Sequence, residues 1–363
     1  MNILGIMSGT SCDGLDCCDV DININSDYQL KYKINKFSTL QYTDSEKFFL
    51  HSLRENKKYK NKKHETELTK IYLKKINEFS DLKKFSYIAC HGQTVHHIDR
   101  VLSNQLFDYR FFFDECNIPV VYNFRENDIK NGGNGAPLMP FLDWLLFLDK
   151  KKNIVTLNIG GISNISYIPK NKQRDKVLGF DTGPGMCLVD MACRLFFNSR
   201  YDVDAIYSNK GKTNTNFLNQ LLDLSCIKKA PPKSMDIMDF GDNIIDELIK
   251  SNPRANNYDI VRTFVEFSIE SIDYNIRSFI KLNKNDFELV YSGGGGEHPL
   301  IKKGLIQRGY KVRSISSYGV DSSTKEALLI AILGACRVIN LKNNMPSVTG
   351  ASKNIVLGEI YSG

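Results

Sequence analysis

NILGIMSGTSCDGLDCCDVDINI (Asn2–Ile24) reads as strand, tight turn, strand: an apolar run over Asn2–Met7, a turn rich in Gly, Ser and Thr, and a second strand over Leu15–Ile24. Gly9 and Gly14 stand at the spacing of a Walker-type phosphate loop, yet Leu15 and Asp16 occupy the places where that loop needs Lys and then Ser or Thr. Two readings remain: an ordinary turn, or an anion site built from backbone N–H groups and hydroxyls. The pattern restarts at NIVTLNIGGISNISYI (Asn153–Ile168), again strand, Gly turn, strand. Two halves that open alike predict duplicated α/β domains with a cleft between them. FRENDIKNGGNGAPLMP (Phe124–Pro140) carries three glycines and two prolines and suits a hinge or binding loop. The predicted domains are therefore 1–135 and 136–363, with a C-terminal segment able to pack back on the first.

Between these landmarks a third strand is expected over Tyr32–Leu40, then helices through about Phe79. FSYIAC (Phe85–Cys90) reads as a buried strand ending in a polar loop, HGQTVHH, and IPVVYNF (Ile118–Phe124) as another strand. In the second half, VLGFDTGPGMCLVDMACRLFF (Val177–Phe197) is a strand turning into a helix, and Tyr258–Lys281 is a long amphipathic helix. FELVYSGGGGEHPLIKKGL (Phe287–Leu305) is strand, Gly run, helix, and STKEALLIAILGACRVI (Ser323–Ile339) is a last apolar helix.

The totals narrow the class. The 363 residues, 42% hydrophobic and 25% charged, suit a globular protein with chain enough for two cores. No apolar run approaches the ~20 residues of a membrane span, and the N-terminus lacks a basic region and cleavage site, so a cytoplasmic protein without a membrane role is expected. Nine cysteines, an odd number without C-x-x-C, indicate reduced thiols and no zinc ribbon. His91, His96 and His97 do not match a zinc spacing either. The net charge of +7 comes largely from a Lys-rich stretch over Arg54–Lys84. There Leu68, Ile71, Tyr72, Lys75, Ile76 and Phe79 follow helical spacing, so the lysines read as a solvated face and not as a nucleic-acid site.

LGIMSGTS, TLNIGGISNIS and LVYSGGGG together resemble the two phosphate loops and the adenosine loop of the actin, hexokinase and heat-shock chaperone ATPase superfamily. That superfamily usually has an Asp two residues before the first Gly-Thr pair, where this chain has Met7; Asp13 and Asp16 are the available replacements. The displacement is similar to that of one branch, the anhydro-N-acetylmuramic acid kinase family. Its motifs recur in order along the chain: GIMSGTSCDGLD, CHGQTVHH, FRENDIKNGGNGAPLMP, LNIGGISN, GFDTGPGM, PPKS, SGGG, KEAL and PSVTGASKNIVLG. The resemblance implies two duplicated actin-like (ribonuclease H-like) α/β domains with an interdomain active-site cleft. It also implies a homodimer, an amino-sugar substrate, ATP with Mg²⁺, and an activity that opens the 1,6-ether of 1,6-anhydro-N-acetylmuramic acid and phosphorylates O6, as in peptidoglycan recycling.

Carried residue by residue, the resemblance makes Asp181 the base that delivers water to the anomeric carbon; the competing reading is a helix N-cap. Gly9, Thr10, Ser11, Cys12, Gly14, Leu15 and Asp16 surround the first phosphate loop, and Asp13 would position magnesium through water. Asn158, Gly160 and Gly161 would form the opposing loop, and Gly293, Gly294 and Gly295 would lie beside adenine and ribose. Gln93, Thr94, Arg125, Gly133 and Pro137 would shape the sugar site, with a surface ion pair as the alternative for Arg125. Glu326 would be a metal ligand or a helix-start acid. Met186, the Ser234–Met238 segment and His298 depart from the family pattern and bear on substrate scope. Two other functions fit the same residues: a kinase for another amino or anhydro sugar, or a weakly catalytic ATP-binding module.

Overall fold

Strands β1 (Asn2–Ser8), β2 (Gly14–Ile24) and β3 (Leu30–Gln41) form an antiparallel meander, with Ile3 opposite Val20 and Ser8 opposite Leu15. On the other side of β1 the sheet turns parallel, through β4 (Tyr87–Ile98) and then β6 (Val120–Tyr122), while β5 (Leu102–Leu106) folds back on β4. The second sheet repeats the plan. β7 (Asn153–Ile159), β8 (Ile162–Ile168) and β9 (Leu178–Pro184) are an antiparallel meander, and β10 (Phe287–Ser292) and β11 (Val312–Ser314) follow in parallel on the far side of β7. The strand orders β3-β2-β1-β4-β6 and β9-β8-β7-β10-β11 are the same, and β12 (Glu359–Tyr361) adds an edge to the first sheet, antiparallel to β6. The fold is thus mixed α/β with a duplicated sheet topology, as the repeated strand–Gly turn–strand pattern predicts.

The computed structural model describes residues 1–9, 12–55, 61–240, 244–251 and 256–363. The chain divides into two compact units, Met1–Leu146 with Ser323–Gly363, and Phe147–Ser322. The apolar helix Lys325–Val338 belongs to unit 1 because small residues let it lie directly on the sheet. A Cβ at Gly5 of β1 would stand 2.2 Å from the Ala327 carbonyl oxygen and 2.9 Å from Ala331 Cβ, and one at Gly334 would stand 2.7 Å from Ala89 Cβ. The tail beyond this helix is tied down by Asp128, which is fully buried and accepts from Thr349 Oγ1 (2.9 Å), Asn344 Nδ2 (3.2 Å) and Gly135 N (2.9 Å).

One local expectation changes. HGQTVHH is strand and not loop: β4 runs on through it because β5 supplies a hairpin partner, pairing Gln93 with Leu106 and His97 with Ser103. The Lys-rich stretch is helical over Lys62–Phe79, started by Asn61 accepting from His64 N, and it buries Leu68, Tyr72, Ile76 and Phe79. Lys75 also turns inward, donating to Gln41 O at 2.8 Å and pairing with Glu46 at 2.9 Å. All nine cysteines are free thiols. No helix among the described residues is long and apolar enough to cross a membrane.

The Gly5 contact sets the first prediction. Gly5→Ala forces the last helix off β1 and lowers stability by about 1–3 kcal/mol, the range for overfilling a packed core. Urea unfolding read by circular dichroism measures it; an unchanged midpoint would show that the helix is not seated on Gly5.

Candidate functional site

In unit 1 the turn between β1 and β2 is held from beneath by Gln93. Its Oε1 accepts from Ser8 Oγ at 2.6 Å and its Nε2 donates to the Gly9 carbonyl at 3.2 Å, and Gln93 is fully buried. Ser8 Oγ also lies 3.0 Å from the Tyr42 hydroxyl, and Tyr42 N donates to Asp13 O at 3.2 Å. Both ends of the Gln93 amide are therefore spent on the turn, which gives it a positioning part and not the sugar contact expected. Cys12 has a left-handed backbone (φ 56°) and, like Leu15, a side chain fully buried in the core, so only their main-chain groups are open to an anion. Asp13 is exposed; Thr10 and Ser11 lie outside the described residues.

Asp16 accepts from Thr39 Oγ1 at 2.6 Å, and burial lifts its carboxyl above the ordinary range despite that bond. It faces Glu326. Glu326 keeps contact with solvent, but surrounding protein strips most of its hydration and pushes its carboxyl up; the charge on Asp16 adds to this, against Lys325 and Arg125. Lys325 is committed to a buried ion pair with Asp143 at 2.9 Å. With two cations beside it, Glu326 suits charge balance better than metal ligation.

Arg125 is no surface ion-pair partner. Its Nε donates to His91 Nε2 at 3.0 Å and its Nη1 to Gly135 O at 2.9 Å, and burial lowers its guanidinium to about 10 even with Glu326 and Asp128 opposing. His91 is driven down to about 3 by burial and then by Arg125. A neutral ring that accepts at Nε2 carries its proton on Nδ1, which donates to Gly92 O at 3.0 Å. Thr94, half-buried, receives a 3.5 Å bond from Gln105 Nε2. Gly133 is packed so tightly that a Cβ would meet the Asp128 carboxylate at 2.1 Å, and Pro137 follows a cis peptide bond. Arg125, His91 and the 132–135 loop thus form one hydrogen-bonded wall, in which His91 bonds both Gly92 O and Arg125.

In unit 2 the turn between β7 and β8 presents Gly160 and Gly161. Their carbonyls accept from Met186 N (2.8 Å), Gly185 N (2.8 Å) and Cys187 N (3.1 Å), which joins the turn to the start of the helix Cys187–Phe197. Asn158 Oδ1 accepts from Ser292 Oγ at 3.2 Å, linking the turn to β10. Gly293 has φ 83° and donates its N–H to Ser322 Oγ at 2.7 Å. A Cβ there would stand 2.5 Å from Ile159 O, so Gly293 is required by close approach to β7.

Asp181 sits within β9, six residues before the helix begins, and that helix has no side-chain cap. The N-cap alternative therefore falls. Its Oδ2 accepts from Met235 N at 2.7 Å, and its own N–H donates to Lys233 O at 3.2 Å. Lys233 is buried, donates to Ile227 O at 2.8 Å, and is lowered to about 8 by burial, with Cys226 and then Asp181 pulling the other way. Lys233 was quoted in PPKS but given no role; only folding brings the 233–235 segment against β9.

Beside Gly294 and Gly295 a hollow of ≈490 Å³ opens, lined by Ile159, Met186, Asp190, Tyr201 and His298 among others. The departures Met186 and His298 thus border one cavity, while the Ser234–Met238 segment reaches Asp181 through Met235. Among the described residues no group of three or more His, Cys, Asp or Glu is arranged to hold a metal ion.

The buried Arg125–His91 contact predicts that His91 does not titrate between pH 5 and 8 and stays in the Nδ1–H form. Nitrogen-15 NMR of the histidine rings tests this; a His91 midpoint above pH 5 would contradict the arrangement.

The family model and the sequence relatives agree with one another. A family model described as anhydro-N-acetylmuramic acid kinase matches residues 1–363. A protein of that name from Clostridioides difficile (strain 630) is 35% identical over 377 residues, covering 99% of this chain and 98% of its own. Another from Francisella tularensis subsp. novicida (strain U112) is 34% identical over 379 residues, covering 98% and 97%. Among solved structures, the activator of the 2-hydroxyisocaproyl-CoA dehydratase from Clostridium difficile with bound ADPNP aligns with 92% of this chain and 93% of its own, at 10% identity and a TM-score of 0.46. With its whole length matched, the chain belongs to the anhydro-N-acetylmuramic acid kinase family, and is a kinase, an ATP-dependent phosphotransferase.

Proposed function

We propose that the protein opens the 1,6-anhydro ring of 1,6-anhydro-N-acetylmuramic acid with water and phosphorylates the freed O6 from ATP, giving N-acetylmuramic acid 6-phosphate and ADP. The observation that carries this is Asp181: a strand carboxylate oriented by Met235 N, near a buried ammonium, and not used as a helix cap. In the proposed step Asp181 takes a proton from water as that water attacks the anomeric carbon. The C1–O6 bond breaks, and O6 becomes the acceptor for the γ-phosphoryl group. Phosphate is offered the main-chain groups of Gly160 and Gly161.

A magnesium ion is consistent with the residues present. Mg²⁺ binds through one or two carboxylates and keeps several waters, so it needs no three-residue cage. Asp13, exposed on the first turn, suits that part, whereas Glu326 has cations as neighbours. Bound Mg²⁺ would neutralise phosphate charge. On the sugar side, the Arg125 guanidinium is the cation available to the lactyl carboxylate, and the Gly133–Pro137 segment and Thr94 are the other groups in that wall.

Asp181→Asn is expected to lower kcat by about 10²–10⁴-fold, the usual contribution of a general base, with the KM for ATP within about threefold. Sugar-dependent ADP release measures both. In ¹⁸O-labelled water the new anomeric hydroxyl must carry the label; an unlabelled product would exclude hydrolytic opening. ADP release with a different amino sugar and none with the anhydro sugar would favour the related-kinase reading.

A further inference from the structure

We propose that a ≈600 Å³ hollow at the Asn153 end of β7 is a second anion site, which takes a compact inorganic polyphosphate on the ammonium groups of Lys151, Lys170 and Lys176. The site lies apart from the kinase chemistry. β7 runs from Asn153 to Ile159, and its length of about 20 Å separates the hollow from the Gly160–Gly161 turn at the other end of the same sheet.

Residues 149–152 read DKKK and residues 170–176 read KNKQRDK, seven cations against two carboxylates. Lys151, Lys152, Lys170 and Lys176 line the hollow, and Asp286 is the one acid among its lining residues. The carboxylates nearby are already committed. Glu288 takes Lys152, Arg313 Nε at 2.6 Å and the Tyr318 hydroxyl at 2.9 Å, and Asp149 takes Lys172 at 2.6 Å. Asp286 Oδ2 accepts from Asn283 Nδ2 at 3.1 Å. The ammonium groups of Lys151, Lys170 and Lys176 therefore meet no carboxylate among the described residues. Like charges crowd here: even with Glu288 beside it, Lys152 is held below its ordinary value by burial and then by Arg313, Lys150 and Lys311.

The frame under these lysines is fixed. Asn153 Oδ1 accepts from Lys170 N at 3.1 Å and from the Tyr167 hydroxyl at 3.4 Å, while its Nδ2 donates to Asp286 O at 3.0 Å. One side chain thus ties the end of β8 and the turn before β10 to the first residue of β7. Lys176 N donates to Gln173 O at 3.2 Å, which closes the short turn that carries the third lysine. Binding therefore has side chains to order and little backbone. The Lys-rich helix Lys62–Phe79 is different, since Lys62 pairs there with Asp108 and Lys75 with Glu46.

The ligand class follows from the donors. A lysine ammonium is a compact point charge that accepts phosphate oxygens from many directions, and three of them converge on one hollow. The amides of Asn171 and Gln173 line the same wall and add neutral donors. Tyr167 is the only aromatic residue among those lining it, half-buried and with its hydroxyl on Asn153, so bases find no stacking platform there. A short polyphosphate fits this arrangement better than a nucleic acid does.

The test uses the full-length protein in magnesium-free buffer, saturated with ADP to fill the nucleotide site. Inorganic triphosphate is titrated by calorimetry at constant ionic strength, followed by citrate, sulfate and a single-stranded oligonucleotide. One binding event is expected with triphosphate, and citrate, sulfate and the oligonucleotide should bind more weakly by about tenfold or more, roughly one charge-assisted hydrogen bond. Lys151→Gln, Lys170→Gln and Lys176→Gln should each raise the Kd for triphosphate about tenfold for the same reason, and the triple Lys→Gln variant should lose the event. The triple Lys→Arg variant should keep it. All the Lys→Gln variants should hold or raise the melting temperature, because they relieve repulsion, and should leave the kcat and KM for ATP unchanged. A wild-type protein without the event, a folded triple Lys→Gln variant with the wild-type Kd, or citrate or oligonucleotide binding as tightly as triphosphate overturns the proposal while the kinase stands.

Discussion

The seating of the helix Lys325–Val338 on Gly5 is the contact from which most of unit 1 follows. Ala327 and Ala331 approach β1 closely only because position 5 has no side chain, and Gly334 repeats the device over Ala89. This draws Ser323–Gly363 into the N-terminal unit and sets Glu326 opposite Asp16 and Arg125. Here its carboxyl is crowded, raised, and balanced between one carboxylate and two cations.

The duplicated topology gives two turns of the same origin with different support. The first is braced by a side chain, Gln93, reaching from β4. The second is braced by its own carbonyls, which take the N–H groups at the start of the following helix. Backbone support leaves the wall beside Gly294 open, and unit 2 carries both the oriented Asp181 and the acid-lined hollow. Side-chain support in unit 1 leaves the carboxylates of Asp13 and Asp16 as the distinctive groups of its turn.

Much of the fold was legible because its signals are local. Strand, Gly turn, strand is written in consecutive residues in both halves, and the long helix near 258–281 shows in its apolar spacing. HGQTVHH was misread because its polar residues look like a loop; only pairing with β5 makes it strand. Candidate residues on glycine turns were legible for the same local reason. Gln93 was found but its part was not, since the amide is spent on a turn 84 residues away. Lys233 stood in the PPKS motif and His298 among the departures, but nothing local set them against Asp181 and Asp202.

The sequence by itself determined the strand plan, the glycine positions that no other residue can fill, and the family to which the chain belongs, because these depend on residue type and order. Tertiary structure alone decided protonation and partnership. It made His91 a neutral acceptor for Arg125, lowered Lys233, raised Asp190 and Glu326, and freed Asp181 from capping a helix. The physical reason is that burial and charge proximity depend on distances between residues far apart in the chain, and those distances exist only after the chain has folded.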